Sequence, residues 1–553
     1  MRKIVNFVKD QRADEQAAEK KAVVNFMGGI SYEWNALDTL KMITASSIFG
    51  EPAYYRDGEF SEAKIKEAAF RIHPLFREYV IDSVCEFVNM KTSDIMEKAI
   101  DNALDCDFKG TLEWAAELRH EFYMRLNPQV IMVRAAMHPK RAEFTRKYPG
   151  LFAEINEKVM ARADEPASQL IYYLYKNGSK KNMPNILKKS WAKKLESLSY
   201  YEMYKYRNTG IGMIDTIRIC HANSEKINEL MRTGTITVDD SEVTWEKLRA
   251  EGKSWREILD VIRIGHMALL RNLRGIFSEI DDYEYAVELM EQMKRGVKNG
   301  KQFPFRYSSA YQAIKEAGTS VHHAQLILDT LNECIDIACD NLPKLKGRTM
   351  CLSDNSGSAW GSFTSEFGKV RIANIDNLSS VIAARNSDEG FVGKFGDELK
   401  RFSISKLNGV LTQVENIDSG RGDDVGGGTE NGIWLFFRDA IDKKEWFDNI
   451  FVYSDMQAGH GGLYGTADSV KEYRSRGFAV TGNGSYVDVA KLIAEYRRKV
   501  NPKVNVFCVQ TAGYDNVIVP ENGYRTALLY GWTGKELVYA DTMNRFWDEK
   551  DRS

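Results

Sequence analysis

Cysteine pairing potential, net charge and long apolar runs are all scarce in this sequence, and each scarcity excludes a class of protein. The seven cysteines, Cys85, Cys106, Cys220, Cys334, Cys339, Cys351 and Cys508, are odd in number, widely spread and without a CxxC pair. That pattern excludes a disulfide framework and a thiolate zinc site, and leaves buried free thiols. No apolar run approaches the roughly 20 residues that a membrane helix needs. The first residues, MRKIVNFVKDQRADEQAAEKKA, are too charged for a secretory segment, so a reducing, cytoplasmic setting is expected. The net charge is −2, which gives no global basic field for nucleic acid. Residues 346–553 carry 26 basic and 28 acidic side chains, and residues 1–345 carry 50 of each. Any polyanion site must therefore come from local clustering.

What is present is ordinary globular material: 553 residues, 43% apolar and 28% charged. That length exceeds one core and suggests two to four domains. Up to about residue 345, the segments 65–76, 81–90, 111–126, 128–137, 168–175, 261–277, 283–293 and 322–339 place apolar residues at i, i+3, i+4 and i+7. Short polar loops such as Lys176-Asn177-Gly178-Ser179 separate them. Antiparallel helices on short connections predict a bundle or an α-solenoid. From about residue 346 the pattern changes. Short β-rich runs at 349–353, 370–375, 450–454 and 504–510 alternate with helical stretches at 432–441 and 487–500. Such alternation predicts a parallel, doubly wound α/β sheet covered on both faces. The expected organisation is an all-α module over 1–345 and an α/β domain over 346–553, joined at Leu342-Pro343-Lys344-Leu345-Lys346-Gly347.

The strand at 349–353 runs into Asp354-Asn355-Ser356-Gly357-Ser358, a D-x-S-x-S turn. In an open α/β sheet that edge is where ligands bind. Gly426-Gly427-Gly428-Thr429 supplies a threonine ahead of a helix, and the strand at 450–454 ends at Asp455. One turn carboxylate, two serine hydroxyls, a threonine and a second aspartate form a hard-oxygen set that suits Mg²⁺. Each residue alone could be a turn or cap residue. The ordered set of five is the stronger signal.

This set resembles the metal-ion-dependent adhesion site of von Willebrand A domains. The resemblance implies that Ser356, Ser358 and Thr429 ligate the cation, that Asp354 and Asp455 act mainly through water, and that an open position takes a carboxylate from a partner. Asn355 departs from the apolar residue usual at the second motif position. No general base or nucleophile is evident beside the site, so binding is expected rather than catalysis.

The most basic local run lies between Lys176 and Arg207. It includes Lys188, Lys189, Lys193, Lys194 and Lys205, interleaved with Tyr172, Tyr173, Tyr175, Trp191, Tyr200, Tyr201, Tyr204 and Tyr206. Cations that neutralise phosphates beside aromatic platforms for unstacked bases suit single-stranded RNA. The competing reading is a solvated helix face with lysine stems lying over core tyrosines.

Two segments here resemble the TROVE module of the Ro autoantigen family. They are Lys205-Tyr206-Arg207 followed by Asp215-Thr216-Ile217-Arg218-Ile219-Cys220-His221, and Met267-Ala268-Leu269-Leu270-Arg271-Asn272-Leu273. Met27-Gly28-Gly29, Leu40-Lys41-Met42-Ile43 and Tyr54-Tyr55 are similar to its N-terminal stretch. The resemblance, to a bacterial or phage-type member, implies a monomeric ring of HEAT-like helical repeats closed by the A-type domain. It further implies binding of small noncoding, Y-like RNA on the outside and of single-stranded ends of misfolded RNA in the hole, in RNA quality control or processing beside an exoribonuclease. It makes Lys205, Arg207, Arg218 and His221 the candidates for RNA contact. Asn208-Thr209-Gly210 stands where the family segment carries a further basic residue, in a register one residue shorter. Without the resemblance, His221 reads as a side chain interacting with a helix dipole.

His322-His323 lacks a third ligand at metal spacing, Arg421-Gly422-Asp423 lies in a Gly/Asp loop, and the glycine-rich stretch 458–484 follows Asp455 as an enlarged loop. Three functions are weighed: a Ro-type RNA-binding scaffold without catalysis; a metal-dependent protein-binding module whose A-type domain captures a partner carboxylate; and a hydrolase, which lacks an obvious paired carboxylate base.

Overall fold

Side-chain caps mark several of the helix starts, satisfying N–H groups that a helix terminus leaves open. Asp107 accepts from the Gly110 N–H at 2.9 Å. Ser199 with Glu202, and Ser254 with Glu257, form reciprocal capping boxes. Gly178 and Gly234 end helices in the left-handed region at φ 66° and 73°. The computed structural model describes residues 22–24, 30–32, 36–46, 92–122, 124–207, 212–236, 244–300, 302–357, 359–360, 371–418, 422–426, 430–456, 472, 475–477, 489–511, 525–530 and 536–552. The expected helices at 65–76 and 81–90 lie outside them.

Two compact units are present. One spans Asn35–Glu51 and Ser93–Glu251. Its helices are α1 (Ala36–Ser46), α2 (Thr92–Cys106), α3 (Phe108–His120), α4 (Leu126–Met137), α5 (Arg141–Lys147), α6 (Leu151–Val159), α7 (Glu165–Asn177), α8 (Asn185–Glu196), α9 (Tyr200–Tyr206), α10 (Met213–Cys220), α11 (Glu225–Thr233) and α12 (Trp245–Ala250). Helix α3 packs on α6 and α6 on α8, while α4 packs on α7 and α7 on α10. These two rows, cross-packed α3 on α4, α7 on α8 and α8 on α10, are the layers of a solenoid of helix pairs.

A buried amide cluster ties both rows together. Gln169 of α7 donates to Gln129 of α4 at 2.8 Å and to Asn156 of α6 at 2.7 Å, and it accepts from the Trp191 indole of α8 at 2.8 Å. All four residues are fully buried. Replacing Gln169 by Leu strands three buried polar partners, each costing about 1–3 kcal/mol. The expected loss for Gln169→Leu is about 3–5 kcal/mol of unfolding free energy in urea titrations. A loss under about 1 kcal/mol would show that the cluster is not a structural tie.

The second unit comprises Met1–Trp34, Pro52–Thr92 and Gly252–Ser553. Its described N-terminal part is an antiparallel pair, β1 (Ala22–Val24) and β2 (Ile30–Tyr32). Helices α13 (Trp255–Val261), α14 (His266–Glu279), α15 (Tyr283–Gly300), α16 (Pro304–Ala317) and α17 (Ala324–Cys339) follow. Helix α14 packs on α16 and α15 on α17, repeating the pair scheme. A six-stranded sheet comes next, in the order β5-β4-β3-β6-β7-β8. Its strands are β3 (Leu345–Asp354), β4 (Ser387–Phe395), β5 (Leu399–Ile404), β6 (Asn449–Ser454), β7 (Asn505–Gln510) and β8 (Thr526–Tyr530). Helices α18 (Ile372–Arg385), α19 (Val410–Asp418), α20 (Glu430–Asp442), α21 (Val489–Lys499) and α22 (Glu536–Arg552) accompany it. Strands β3, β4, β6, β7 and β8 pair in parallel, and β5 is an antiparallel edge. Helix α17 packs on α19, where Asp336 accepts from the Val410 N–H at 2.9 Å. The last helices before the sheet thus belong to the sheet's own unit.

Three sequence expectations are corrected. The described part of the expected strand at 370–375 is not a strand: Ile372, Ile375, Val381 and Ile382 are buried positions of helix α18. A six-residue window shows too little of the 3.6 period to reveal it. The helix expected over 261–277 breaks at 262–265, where Ile262 and Gly265 are extended. The helix expected over 111–126 stops at His120, and Pro128 sits in the first turn of the next, where its missing N–H costs nothing. The antiparallel β4–β5 hairpin had no counterpart in the sequence reading.

Candidate functional site

The chain builds the sheet outward from β3 in two directions. After β3 it crosses through α18 to β4 on one side, and later returns through α19 and α20 to β6 on the other. The carboxyl ends of β3 and β6 therefore flank a topological switch point, where a crevice opens in α/β sheets. Ser353 is in register with Tyr453, so the turn after β3 meets the turn after β6.

Asp354, Ser356 and Asp455 come together there, all buried. Asp354 accepts from the Ser356 N–H at 2.9 Å and from the Ser454 hydroxyl. The Met456 N–H donates back to Ser454 Oγ at 3.0 Å, and Gln510 Nε2 donates to the Asp455 carbonyl at 2.7 Å. Met456 is buried with φ at 58°, a left-handed conformation for a non-glycine residue directly after Asp455. Such strain concentrates at ligand sites. Burial, and then repulsion from Asp455, push the Asp354 carboxyl up to about 7, against the hydrogen bonds from Ser454 and Ser356. Ser358 and Thr429 lie outside the described residues, as do Arg421 and most of the 458–484 stretch.

Asn355, the departure from the motif, has a partner that explains it. Its amide exchanges hydrogen bonds with Asn377 of α18 at 2.9 and 3.2 Å, and its oxygen accepts from the Trp360 indole at 3.2 Å. Asn377 also accepts from Ser353 at 2.6 Å and donates to Asp418. A polar lock thus replaces the apolar contact at this position. On the neighbouring strand Lys394 is fully buried, held by the Ile417 carbonyl at 3.0 Å and by Asp424 at 2.8 Å. That pair anchors the 3₁₀ turn Gly422–Val425, which precedes Thr429.

The residues at this edge fit a hard divalent cation. Carboxyls buried together at one point are relieved either by a proton or by a positive ion, and the accompanying oxygens are hydroxyls, which suit a hard cation. Among the described residues no three His, Cys, Asp or Glu side chains are placed to grip a metal by themselves. The sequence reading missed Asp376, Ser454, Gln510 and Thr511 at this edge. Asp376 was hidden because it directly follows the run at 370–375 that reads as a strand; on the helix it is an acidic residue on the face shared with Ile372 and Ser380, all three buried. His322 and His323 both face Asp281, at 3.4 and 3.3 Å, with no third ligand among the described residues.

In the helical unit, the basic run divides into two kinds. Tyr172, Tyr173 and Trp191 are core residues, whereas Tyr175 and Tyr200 are exposed. Lys193 lies 2.8 Å from both oxygens of Glu157, and Lys194 approaches the Ala161 carbonyl at 3.3 Å. Lys189 and Lys205 are exposed, Lys188 is half-buried, and none of the three has an acidic partner among the described residues. Arg207 stacks on Tyr204 at 3.9 Å, and Lys205 lies 5.8 Å from the Tyr206 ring. Arg162, which the sequence reading did not single out, bonds the Tyr206 hydroxyl at 2.6 Å. Asp215 caps helix α10 by accepting from the Gly212 N–H at 3.2 Å. Arg218 is exposed in its last turn, and His221 follows, exposed, at φ 57°. The Asn223 N–H donates to Glu196 at 2.9 Å, which ties the turn after His221 to the end of the helix carrying Lys193 and Lys194.

No protein-family model matches this chain, and comparison with curated protein sequences gives no match. Among solved structures, the chain is similar in fold to the Ro (RSR) protein of Deinococcus radiodurans. The TM-score is 0.54 at 13% sequence identity, over 81% of this chain and 93% of that one. The chain has the Ro fold: helical repeats followed by an α/β domain.

Proposed function

We propose that this chain is an RNA-binding scaffold of the Ro type, without chemistry of its own. It would bind small noncoding, Y-like RNA and single-stranded ends of misfolded RNA, serving RNA quality control or processing in the cytoplasm, as a monomer working beside an exoribonuclease. The helical module would extend to about residue 345 and the A-type domain over 346–553. One observation carries this reading: the exposed Lys189, Lys205 and Arg218, with Arg207 stacked on tyrosine, stand on a helix-pair solenoid that shares its fold, α/β domain included, with a Ro protein. Cations without acidic partners beside stacked aromatics suit phosphates and unstacked bases.

In the A-type domain, Ser356, Ser358 and Thr429 would hold Mg²⁺, with Asp354 and Asp455 supporting it through water. The cation would supply electrostatic attraction for a partner oxygen. Ser454 and Gln510 position the two aspartate turns. A second reading, capture of a partner carboxylate without RNA, is favoured by those buried aspartates alone.

Crosslinking in cells, with sequencing of co-purified RNA and identification of co-purified protein, separates the two. The expected result is recovery of structured small RNA, reduced at least about tenfold by the double substitution Lys205→Glu, Arg207→Glu. Recovery of protein alone, lost in Asp354→Ala, would instead favour the second reading.

A further inference from the structure

Helix α18 packs across β3, β4 and β6 and carries a carboxylate that the motif does not include. Asp376 is 0% exposed, and neither of its oxygens has a hydrogen-bond partner among the described residues. It feels the negative charge of both Asp354 and Asp455, and no basic side chain acts on it. Thr511, just past β7, lies close enough for its hydroxyl to favour the ionised form of Asp376, yet neither group makes a hydrogen bond of full geometry. Ser380, one helical turn along, is a second buried hydroxyl without a partner.

A buried carboxylate is normally ion-paired or hydrogen-bonded, because leaving it bare is costly. Here Thr511 alone favours the ionised form, and Asp354 and Asp455 both add negative charge. Without a counter-charge, burial and the two neighbouring aspartates hold the carboxyl in its protonated form; a positive ion and its water in the same crevice would let it ionise. Resting on the cation-site reading above, we infer that Asp376 is a third carboxylate of that site, a positioning and charge-setting residue for a divalent cation. Groups that support a metal's direct ligands typically contribute 10- to 100-fold to its affinity. Asp376 is expected to do so, with Thr511 as a further oxygen for the hydration shell.

The test is Mg²⁺ or Mn²⁺ titration of the full chain by calorimetry, with melting curves in EDTA. Asp376→Asn keeps the shape, and Asp376→Ser is smaller and neutral. Both are expected to weaken cation binding at least about tenfold while melting in EDTA no lower than the wild type, since each removes an unpartnered buried acid. Unchanged affinity in both variants overturns the role of Asp376 and leaves the site itself standing, provided that Asp354→Asn abolishes binding. Failure of the wild type to bind either cation overturns the site and this inference with it. A lower melting point of both variants in EDTA also overturns it, because Asp376 would then be satisfied within the protein.

Discussion

Raising monovalent salt from 50 to 200 mM is expected to weaken RNA binding by this chain about a hundredfold. The estimate follows from counterion release, which for single strands gives a slope of about −0.7 per neutralised phosphate on a double-logarithmic plot. Five cations are counted: Lys188, Lys189, Lys205, Arg207 and Arg218. Lys193 is left out because both Glu157 oxygens already hold it, so Lys193→Ala should change the slope little. The five predict a slope of about −3.5, and a fourfold salt change then costs about two orders of magnitude. Lys205→Glu with Arg207→Glu should flatten the slope as well as weaken binding. Fluorescence anisotropy on a hairpin RNA with a single-stranded tail measures both. A slope shallower than about −1 would mean that these side chains do not face phosphate.

Pairing and position, more than residue type, decided how much of this was legible in the sequence. The sheet's central strands could be read because β3, β6 and β7 are short apolar runs, buried along most or all of their length. Asp354 and Asp455 could be placed together because each ends such a run. Helix α18 could not be read from six residues, and with it went Asp376. The lock between Asn355 and Asn377 joins residues 22 apart, which no local pattern announces. In the helical unit the lysines of α8 look alike in sequence. Only folding shows that Glu157, on another helix, takes Lys193 and leaves Lys189 to solvent. The amide cluster around Gln169 was equally silent, since glutamine in a helix is unremarkable until its neighbours prove to be buried.

The metal-free protein is expected to lose stability as pH rises from 5 to 8, and Mg²⁺ is expected to reverse that trend. Asp354 has an ordinary carboxylate value near 4 when unfolded and about 7 when folded, because of burial and the nearby Asp455. Between those values the native state holds a proton that the unfolded chain has released. Stability therefore falls with pH across that window, by about 1.4 kcal/mol per unit for one such group. Its contribution is intact below about pH 4 and gone once pH has passed through 7. Asp376 and Asp418 are shifted upward as well, mainly by burial, and act in the same direction. His266, shifted downward by burial, acts in the opposite direction near its own titration. Comparison with Asp354→Asn isolates the site from that background. In EDTA, the melting temperature of the wild type should fall relative to the variant between pH 5 and 8. A bound cation requires the ionised carboxylate, so its stabilisation should grow with pH over the same interval. Parallel melting curves for the two proteins, with and without Mg²⁺, would show that no proton and no metal ion compete for Asp354.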